Sequence, residues 1–156
     1  MAKIEVNQTT LATLRDKTVL ITGGSNGIGR QTGLLLHSHG ANVVIGDLDV
    51  VRGESLLREI GEQGIFEKTD VTNWESLRNL FERAKDQFGS VDIVLANAGI
   101  PERPPYLFDV VLDDNGLLKE PDFCLVDINL NGVLRSIATA HLWICQHHRS
   151  WISKVI

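Results

Sequence analysis

Glycines dominate the run Thr22–Gly29 (TGGSNGIG), which directly follows the apolar stretch Thr18–Ile21. Glycine lets a chain turn sharply from a strand into a helix and lets a ligand approach the main chain. The first N–H groups of that helix have no acceptor within it, and the helix dipole adds partial positive charge there. The run therefore predicts a turn that binds a diphosphate, although a simple tight turn also fits its composition. The residues expected to contact the ligand are Gly23, Ser25, Asn26, Gly27, Ile28 (through its backbone) and Gly29.

A candidate sugar-binding acid is Asp47, which follows the apolar run Val43–Ile45 and lies eighteen residues beyond Gly29. In a dinucleotide fold, an acid at this place accepts a hydrogen bond from a ribose 2′-hydroxyl. It also repels a 2′-phosphate, by about 4 kcal/mol for charges about 4 Å apart at an effective dielectric near 20. Asn26 and Leu48 offer no compensating positive charge. Asp47 therefore predicts NAD rather than NADP, the alternative being that it or Asp49 merely caps a helix.

Other classes of phosphate or metal chemistry are disfavoured. No Lys-Ser or Lys-Thr pair follows Gly29, so a P-loop for phosphate transfer is not indicated. The five histidines have no acidic or thiol partners at ligand spacing, so no metal site is expected. Cys124 and Cys145 are predicted on one helix, about 31 Å apart at 1.5 Å per residue, too far for a mutual disulfide.

Short apolar runs that alternate with helical segments must position these residues. The predicted strands are Thr18–Ile21, Val43–Ile45, Phe66–Thr69 and Val91–Ala96. The predicted helices between them span about Ile28–His39, Val50–Ile60 and the segment that ends at Gly89. In that last helix Leu77, Leu80, Phe81, Ala84 and Phe88 form one apolar stripe, and Thr72 with Glu75 resembles a capping box. Right-handed crossovers then predict an α/β, Rossmann-type doubly wound parallel sheet of order 3-2-1-4.

Length and composition fit one globular domain over residues 1–156. The chain is 43% hydrophobic and 22% charged, with a net charge of −5, which argues against a nucleic-acid partner. The first six residues lack the apolar core of a signal peptide, and no apolar run approaches the ~20 residues of a membrane span. A cytoplasmic location without membrane attachment is therefore expected.

Together these motifs resemble the N-terminal part of a short-chain dehydrogenase/reductase. The run Thr22–Gly29 is similar to that family's Thr-Gly-x-x-x-Gly-x-Gly turn, and Asp70-Val71 to the acidic pair after its third strand. Asn97-Ala98-Gly99 matches the signature after the fourth strand, and Asn129 falls where the family has a helix asparagine. The long loop over 101–120 resembles a subset of fungal members and NAD-linked dehydrogenases of secondary alcohols.

The resemblance implies roles for these residues. Asp70 is expected to bind the adenine amino group, with the Val71 backbone nearby, while Asn97 braces the sheet. Ala98 and Gly99 would let the cofactor ribose approach. The plain alternatives are that Asp70 begins a turn with Thr72 and that residues 97–99 are an ordinary exit from a strand.

The catalytic serine, tyrosine and lysine that the resemblance implies are not found at the expected positions of this sequence. The family transfers a hydride between a carbinol carbon and nicotinamide with a tyrosine acid/base, a lysine that lowers its pKa and a substrate-binding serine. Tyr106 is the only tyrosine, but it lies in a loop and Val110 stands where the lysine would be. Ser153-Lys154 is predicted at the start of a fifth strand, upstream of the family's serine position. Asn129 is the only expected catalytic residue, and the domain is expected to be incomplete at its C-terminal end.

The helix predicted from about Pro121 to His148 carries more apolar residues than one sheet face needs. Its apolar positions include Val126, Val133, Leu134, Ile137, Leu142, Trp143 and Ile144. In the family the equivalent helix packs across a subunit interface, so a homo- or hetero-oligomer through residues 121–148 is one expectation, and internal coverage of both sides is the other.

Three functional hypotheses follow. The first is the NAD-binding part of a short-chain dehydrogenase/reductase that is inactive alone. The second is a non-catalytic module that binds NAD or pairs with a longer homologous subunit. The third is a methyltransferase with a related fold, which the spacing of Gly23 and Gly27 and the Asn97–Gly99 signature disfavour.

Overall fold

The computed structural model describes residues 8–105 and 108–147, and its centre is a four-stranded parallel sheet. The strands are β1 (Thr18–Thr22), β2 (Asn42–Asp47), β3 (Gly64–Lys68) and β4 (Ile93–Ala96). Their order, β3-β2-β1-β4, confirms the predicted 3-2-1-4 arrangement and the doubly wound fold. In register, Leu20 of β1 lies between Val44 of β2 and Val94 of β4. The predicted fifth strand lies outside the described residues.

Helices connect these strands and cover the sheet. A short helix α1 (Gln8–Ala12) precedes β1, and α2 (Gly27–Ser38) connects β1 to β2. Next come α3 (Val50–Ile60) and the 3₁₀ turn Gly61–Gln63, which lead to β3, and then α4 (Trp74–Phe88), which leads to β4. The last helical stretch consists of α5 (Cys124–Val126), a π turn (Asp127–Asn131) and α6 (Gly132–His147).

The alternation of side chains along the strands separates two cores. On one face, Leu20 and Val44 pack with Leu80, Phe81 and Trp143 from α4 and α6. On the other face, the neighbouring strand residues join Leu56 and Ile60 of α3: Val19, Ile21, Val43 and Ile45. Successive residues of a strand point to opposite faces, so two continuous apolar strands supply both cores. Because the strands are held on both faces, their C-terminal ends are fixed in position, and a binding site can form there.

The start of α4 differs from the prediction. Its N-cap is Asn73, whose side chain accepts a hydrogen bond from the Ser76 N–H, so the capping box of Thr72 and Glu75 was wrong. The Thr72 hydroxyl instead donates to Asp70 Oδ1 at 2.7 Å. The predicted apolar stripe is confirmed, with Leu77, Leu80, Phe81 and Ala84 buried. Gly89 ends the helix in the left-handed conformation, at φ 81°.

Several predicted boundaries also shift. Strand β4 begins at Ile93 rather than Val91, although Val91 is buried in the core and the Asp92 N–H bonds the Thr18 carbonyl. Strand β3 covers residues 64–68 rather than 66–69. The last helical stretch begins at Cys124, three residues after Pro121, and the π turn within it was not predicted. Among the described residues, no helix is long and apolar enough to cross a membrane.

Candidate functional site

The C-terminal ends of the strands and the turns after them enclose a cleft of about 450 Å³. All the predicted cofactor residues except Gly29 line it. They come from four turns of the chain: Gly23, Ser25, Asn26, Gly27 and Ile28; Asp47; Asp70 and Val71; Asn97, Ala98 and Gly99. A cleft at the carboxyl edge of a doubly wound sheet is where such folds bind ligands. The strand order thus brings together residues that are far apart in the sequence.

The glycine turn is closely packed underneath and open above. Gly23 has a φ of +66°, and a Cβ there would lie 2.6 Å from Ala98 Cα. Gly29 lies beneath the turn, where a Cβ would meet the Gly23 carbonyl oxygen and would lie 2.6 Å from Asn97 Nδ2. Gly27, at φ +54°, has open space where a Cβ would be. At Gly27 the turn therefore presents bare main chain to the cleft.

The N-terminus of α2 faces this open space. The Asn26 side chain does not cap the helix, and the Arg30 N–H is the first to bond a helical carbonyl, that of Asn26. The Ile28 side chain is 79% exposed. The N–H groups of the first turn of a helix have no acceptor within it and attract anions. These residues fit a dinucleotide, whose diphosphate would lie against the amides of residues 27–29.

The Asp47 carboxylate is held at the tip of β2 by two main-chain donors. Its Oδ2 accepts a hydrogen bond from the Ser25 N–H at 3.0 Å, and its Oδ1 accepts one from the Asp49 N–H at 3.0 Å. A carboxylate has about four lone-pair positions, so both oxygens keep capacity for ribose hydroxyls. Of the two acids considered for the cap of α3, Asp49 fills that role by accepting from the Arg52 N–H. Asp47 is thus left to face the cleft.

Asp70 and Val71 form the wall at the tip of β3. Asp70 Oδ1 accepts hydrogen bonds from the Thr72 N–H and hydroxyl, at 2.9 and 2.7 Å, which is the turn considered as its plain alternative. The Asp70 N–H donates to Ser76 Oγ. Val71 is buried and also contributes to the wall. The turn fixes the carboxylate without enclosing it, since Asp70 still lines the cleft.

Two asparagines fasten the loop after β4. Asn97 Nδ2 donates to the carbonyls of Thr22 and Gly23, at 3.2 and 2.9 Å, and so joins β4 to the glycine turn. Asn129, in the π turn, accepts from the Ile100 N–H through Oδ1 and donates to the Ile100 carbonyl through Nδ2, both at 2.8 Å. Asn129 does not line the cleft; Ile100 and the neighbouring Ile128 do. Both asparagines therefore shape the cleft through the main chain.

The π turn that holds Asn129 is fastened by its own ion pair. Asp127 Oδ1 accepts from Asn131 Nδ2 at 3.1 Å and from Arg135 Nη2 at 2.9 Å. The hydrogen bond from Asn131, followed by that from Arg135, lowers the pKa of Asp127. The contacts join the start of the π turn to the first turn of α6. π turns are rare and are frequently found at functional sites.

Sequence reasoning missed Arg52, which also lines the cleft. Its guanidinium Nη1 donates to Asp49 Oδ2 at 2.9 Å. The available signal was the spacing of Asp49 and Arg52, because residues three apart on a helix are neighbours. Tyr106 and Ser153-Lys154, which were weighed as catalytic candidates, lie outside the described residues. Within the described ranges, no group of three or more histidine, cysteine, aspartate or glutamate side chains could hold a metal ion.

Comparison with known proteins settles the family. The family model described as short chain dehydrogenase matches residues 17–148. The chain belongs to this family. Short-chain dehydrogenases bind a nicotinamide dinucleotide, so the family and the open glycine turn agree.

Named relatives within the short-chain dehydrogenase family share the same region. The short-chain dehydrogenase/reductase ascJ of Acremonium egyptiacum is 40% identical over 150 residues, covering 96% of this chain and 49% of the relative. The (+)-borneol dehydrogenase 1 of Salvia officinalis is 38% identical over 120 residues, covering 76% of this chain and 44% of the relative. The chain spans about half the length of the curated relatives it matches.

A solved short-chain dehydrogenase structure shares the fold. It is a 3-ketoacyl-(acyl-carrier-protein) reductase from Brucella melitensis complexed with NADH. The TM-score is 0.70 at 28% identity, over 86% of this chain and 51% of that one. The likeness agrees with the Rossmann-type sheet described above.

Proposed function

We propose that this chain is the NAD-binding part of an oxidoreductase that interconverts a secondary alcohol and a ketone. In the oxidative direction, the carbinol carbon gives a hydride to the nicotinamide and the hydroxyl proton goes to a base. The family membership supports the reaction class, and the similarity to (+)-borneol dehydrogenase 1 supports an alcohol on an apolar ring as substrate. We also propose the cytosol as its location, with which the free thiols Cys124 and Cys145 are compatible.

The single observation that carries the choice of NAD is the position of Asp47. Its carboxylate is fixed at the tip of β2 by the N–H groups of Ser25 and Asp49 and cannot swing away without losing both bonds. It faces the same cleft as the glycine turn. Both oxygens can accept from ribose hydroxyls, whereas a 2′-phosphate would bring like charge against them.

We further propose that the chain alone is catalytically silent. The cleft wall, as far as the structure describes it, contains no tyrosine and no lysine. A tyrosine of ordinary pKa, about 10, is a poor base near neutral pH unless a cation lowers that pKa. Asn129 makes its described hydrogen bonds to Ile100 and does not line the cleft. The described part of the cleft therefore offers binding and positioning groups but no tyrosine–lysine pair to serve as acid/base.

Titration calorimetry of the purified chain with NAD, NADP and S-adenosylmethionine tests the cofactor. We expect weak NAD binding, weaker NADP binding and no binding of S-adenosylmethionine. Asp47→Ala should abolish measurable NAD binding, whereas Asp86→Ala, at an exposed aspartate of α4 outside the cleft, should leave it unchanged. NADP or S-adenosylmethionine binding as tight as NAD would refute the assignment.

An absorbance assay for NADH with a cyclic secondary alcohol tests the silence of the chain. We expect no turnover above the background rate. Turnover that disappears in Asn129→Ala would show that the chain is an active enzyme and that the silent-fragment proposal is wrong.

A non-catalytic module that pairs with another subunit is the second candidate, favoured by one surface. Leu134, Ile137 and Leu142 of α6 are each 55% exposed, as is Leu130 in the π turn. Apolar side chains grouped on one helix are typical of a protein interface. Light scattering of the chain should then show a dimer that Leu134→Glu dissociates, while the exposed substitution Arg83→Glu leaves it intact. A monomeric wild-type chain would exclude self-pairing.

A further inference from the structure

The charges around the cleft are unequal and include one cation that no prediction used. Three aspartates line it, Asp47, Asp49 and Asp70, and among the described lining residues Arg52 is the only basic one. Positions 26 and 48, beside the glycine turn and the tip of β2, hold asparagine and leucine. Among the described lining residues, Arg52 is therefore the only side chain that could present positive charge to a bound 2′-phosphate.

The position of Arg52 relative to Asp47 is set by Asp49. The Asp49 N–H donates to Asp47 Oδ1 at 3.0 Å, while the Asp49 carboxylate accepts from both the backbone N–H and the guanidinium of Arg52. These bonds connect the acid at the tip of β2 to the cation on the first turn of α3. The Arg52 side chain is 61% exposed, so it can change rotamer while α3 stays in place.

We propose that Arg52 is a second specificity-determining residue, which partly offsets the exclusion of a 2′-phosphate by Asp47. This inference rests on the proposed dinucleotide function. Asp47 disfavours the phosphate by like charge, and Arg52 attracts it. Asp49 limits that attraction, because the guanidinium is shared with its carboxylate. The cleft consequently binds NAD better than NADP by a moderate factor instead of excluding NADP.

Removal of Arg52 has two effects of the same sign on a 2′-phosphate. The cation is lost, and the Asp49 carboxylate is left without its partner, which adds an uncompensated negative charge beside Asp47. NAD has an uncharged hydroxyl at that position, so the loss of the cation and the added negative charge weaken its binding less. Removal of the Asp49 charge should do the opposite, because Arg52 is then released toward the ligand.

The pair 5′-AMP and 2′,5′-ADP isolates this effect, since the two nucleotides differ only in the 2′-phosphate. Calorimetry at low salt is done with wild type, Arg52→Gln, Arg52→Lys and Asp49→Asn, and repeated with NAD and NADP. Arg52→Gln should weaken 2′,5′-ADP and NADP about tenfold, the effect of one solvent-exposed charge-assisted hydrogen bond, and 5′-AMP and NAD less than about threefold. Arg52→Lys should keep part of the 2′-phosphate affinity.

Asp49→Asn tests whether the Asp49 carboxylate limits the attraction between Arg52 and a 2′-phosphate. Asparagine is as good an N-cap as aspartate, so α3 should keep its start. The variant should bind 2′,5′-ADP and NADP more tightly than wild type, and the gain should disappear in the double variant Asp49→Asn with Arg52→Gln. Raising the salt concentration should reduce the difference between wild type and Arg52→Gln, because exposed charges are screened.

Arg58→Gln is the matched control, because it removes the same charge from the exposed side of the same helix, away from the cleft. It should change neither nucleotide's affinity. Equal weakening of 5′-AMP and 2′,5′-ADP in Arg52→Gln, or no change in either, would overturn the role of Arg52. A wild-type chain that binds neither NAD nor NADP would overturn the proposed function, and this inference with it.

Discussion

Gly29 offers the sharpest test of how the glycine turn is built. It is buried at the start of α2, where a Cβ would meet the Gly23 carbonyl oxygen and lie 2.6 Å from Asn97 Nδ2. In Gly29→Ala one of these groups must move. Either movement disturbs the 2.9 Å hydrogen bond from Asn97 to Gly23 and, with it, the contact between the loop after β4 and the turn.

The magnitude follows from three contributions. Overpacking a closed site costs about 1–3 kcal/mol. Losing a hydrogen bond between buried groups costs about 1 kcal/mol. Replacing glycine by alanine within a helix returns about 1 kcal/mol. The free energy of unfolding should therefore fall by about 2 kcal/mol in Gly29→Ala.

Gly33→Ala is the matched control on the same helix. Gly33 is also buried, but a Cβ there would lie 3.4–3.6 Å from Val43, Ile45 and Ile21, which is ordinary contact. This variant should gain about 1 kcal/mol from helix propensity. For a chain of this size, the difference of about 3 kcal/mol should separate the two thermal midpoints by about 6–12 °C.

Thermal unfolding and NAD titration of both variants complete the experiment. Gly29→Ala should unfold earlier and lose at least about tenfold in NAD affinity, because the amides that face the diphosphate shift with the turn. Gly33→Ala should keep its NAD affinity. A Gly29→Ala variant as stable as Gly33→Ala, with unchanged NAD affinity, would refute the close packing beneath the turn.

Two further substitutions test the hydrogen bonds that join β1 and the glycine turn to the residues on either side of β4. Asn97→Ala removes the donor to the Thr22 and Gly23 carbonyls and should lower the free energy of unfolding by about 1–2 kcal/mol in a urea titration; unchanged stability would contradict the bracing role. Burial disfavours ionisation of Asp92, but hydrogen bonds from the Thr18 N–H and from Lys17 hold its pKa below the ordinary value. Its contribution is therefore present above the ordinary pKa and is lost as pH falls through the lower folded-state pKa. Asp92→Asn should cost less than about 1 kcal/mol at pH 7, and this difference from wild type should shrink between about pH 5 and pH 3. Asp86→Asn, at an exposed position, is the control. If the stability difference between Asp92→Asn and wild type grows on acidification, folding does not lower the pKa of Asp92 and the argument is wrong.

The sheet could be predicted because each strand carries its own signal. The apolar runs around Leu20 and Val44 are short and flanked by helix signals, and right-handed crossovers leave few possible strand orders. The bounds of α3 were predicted correctly as Val50–Ile60, since Asp49 caps its start and Gly61 follows its end. These signals are local, and neighbours in the sequence decide them.

The errors arose where two local signals compete. Thr72 and Asn73 are both good N-caps, and the choice between them depends on the carboxylate of Asp70, which captures the Thr72 hydroxyl. No composition marks the π turn, whose position depends on contacts such as that of Asn129 with Ile100. Such contacts are made only after the chain has folded.

The candidate site was largely predictable for a different reason. The roles of the spaced glycines and of Asp47 depend on the local main-chain geometry, and a sequence motif fixes that geometry by residue type and spacing. Arg52 has no such motif, because an arginine on an exposed helix face is usually just solvated. Its significance depends on the bond to Asp49 and on the position of Arg52 in the wall of the cleft, which are seen only in the folded chain.

The π turn accommodates one residue more than a regular α-helix would need over the same length. Deleting one residue within Asp127–Asn131 should therefore restore regular α-helix and leave α6 in place. Trp143 would then keep its position beside Phe81, where the ring centroids are 5.8 Å apart. What the deletion would change is the side chain presented to the loop after β4, where Asn129 now bonds both the N–H and the carbonyl of Ile100. The extra residue thus adds a brace for the cleft to a helix whose core packing does not depend on it.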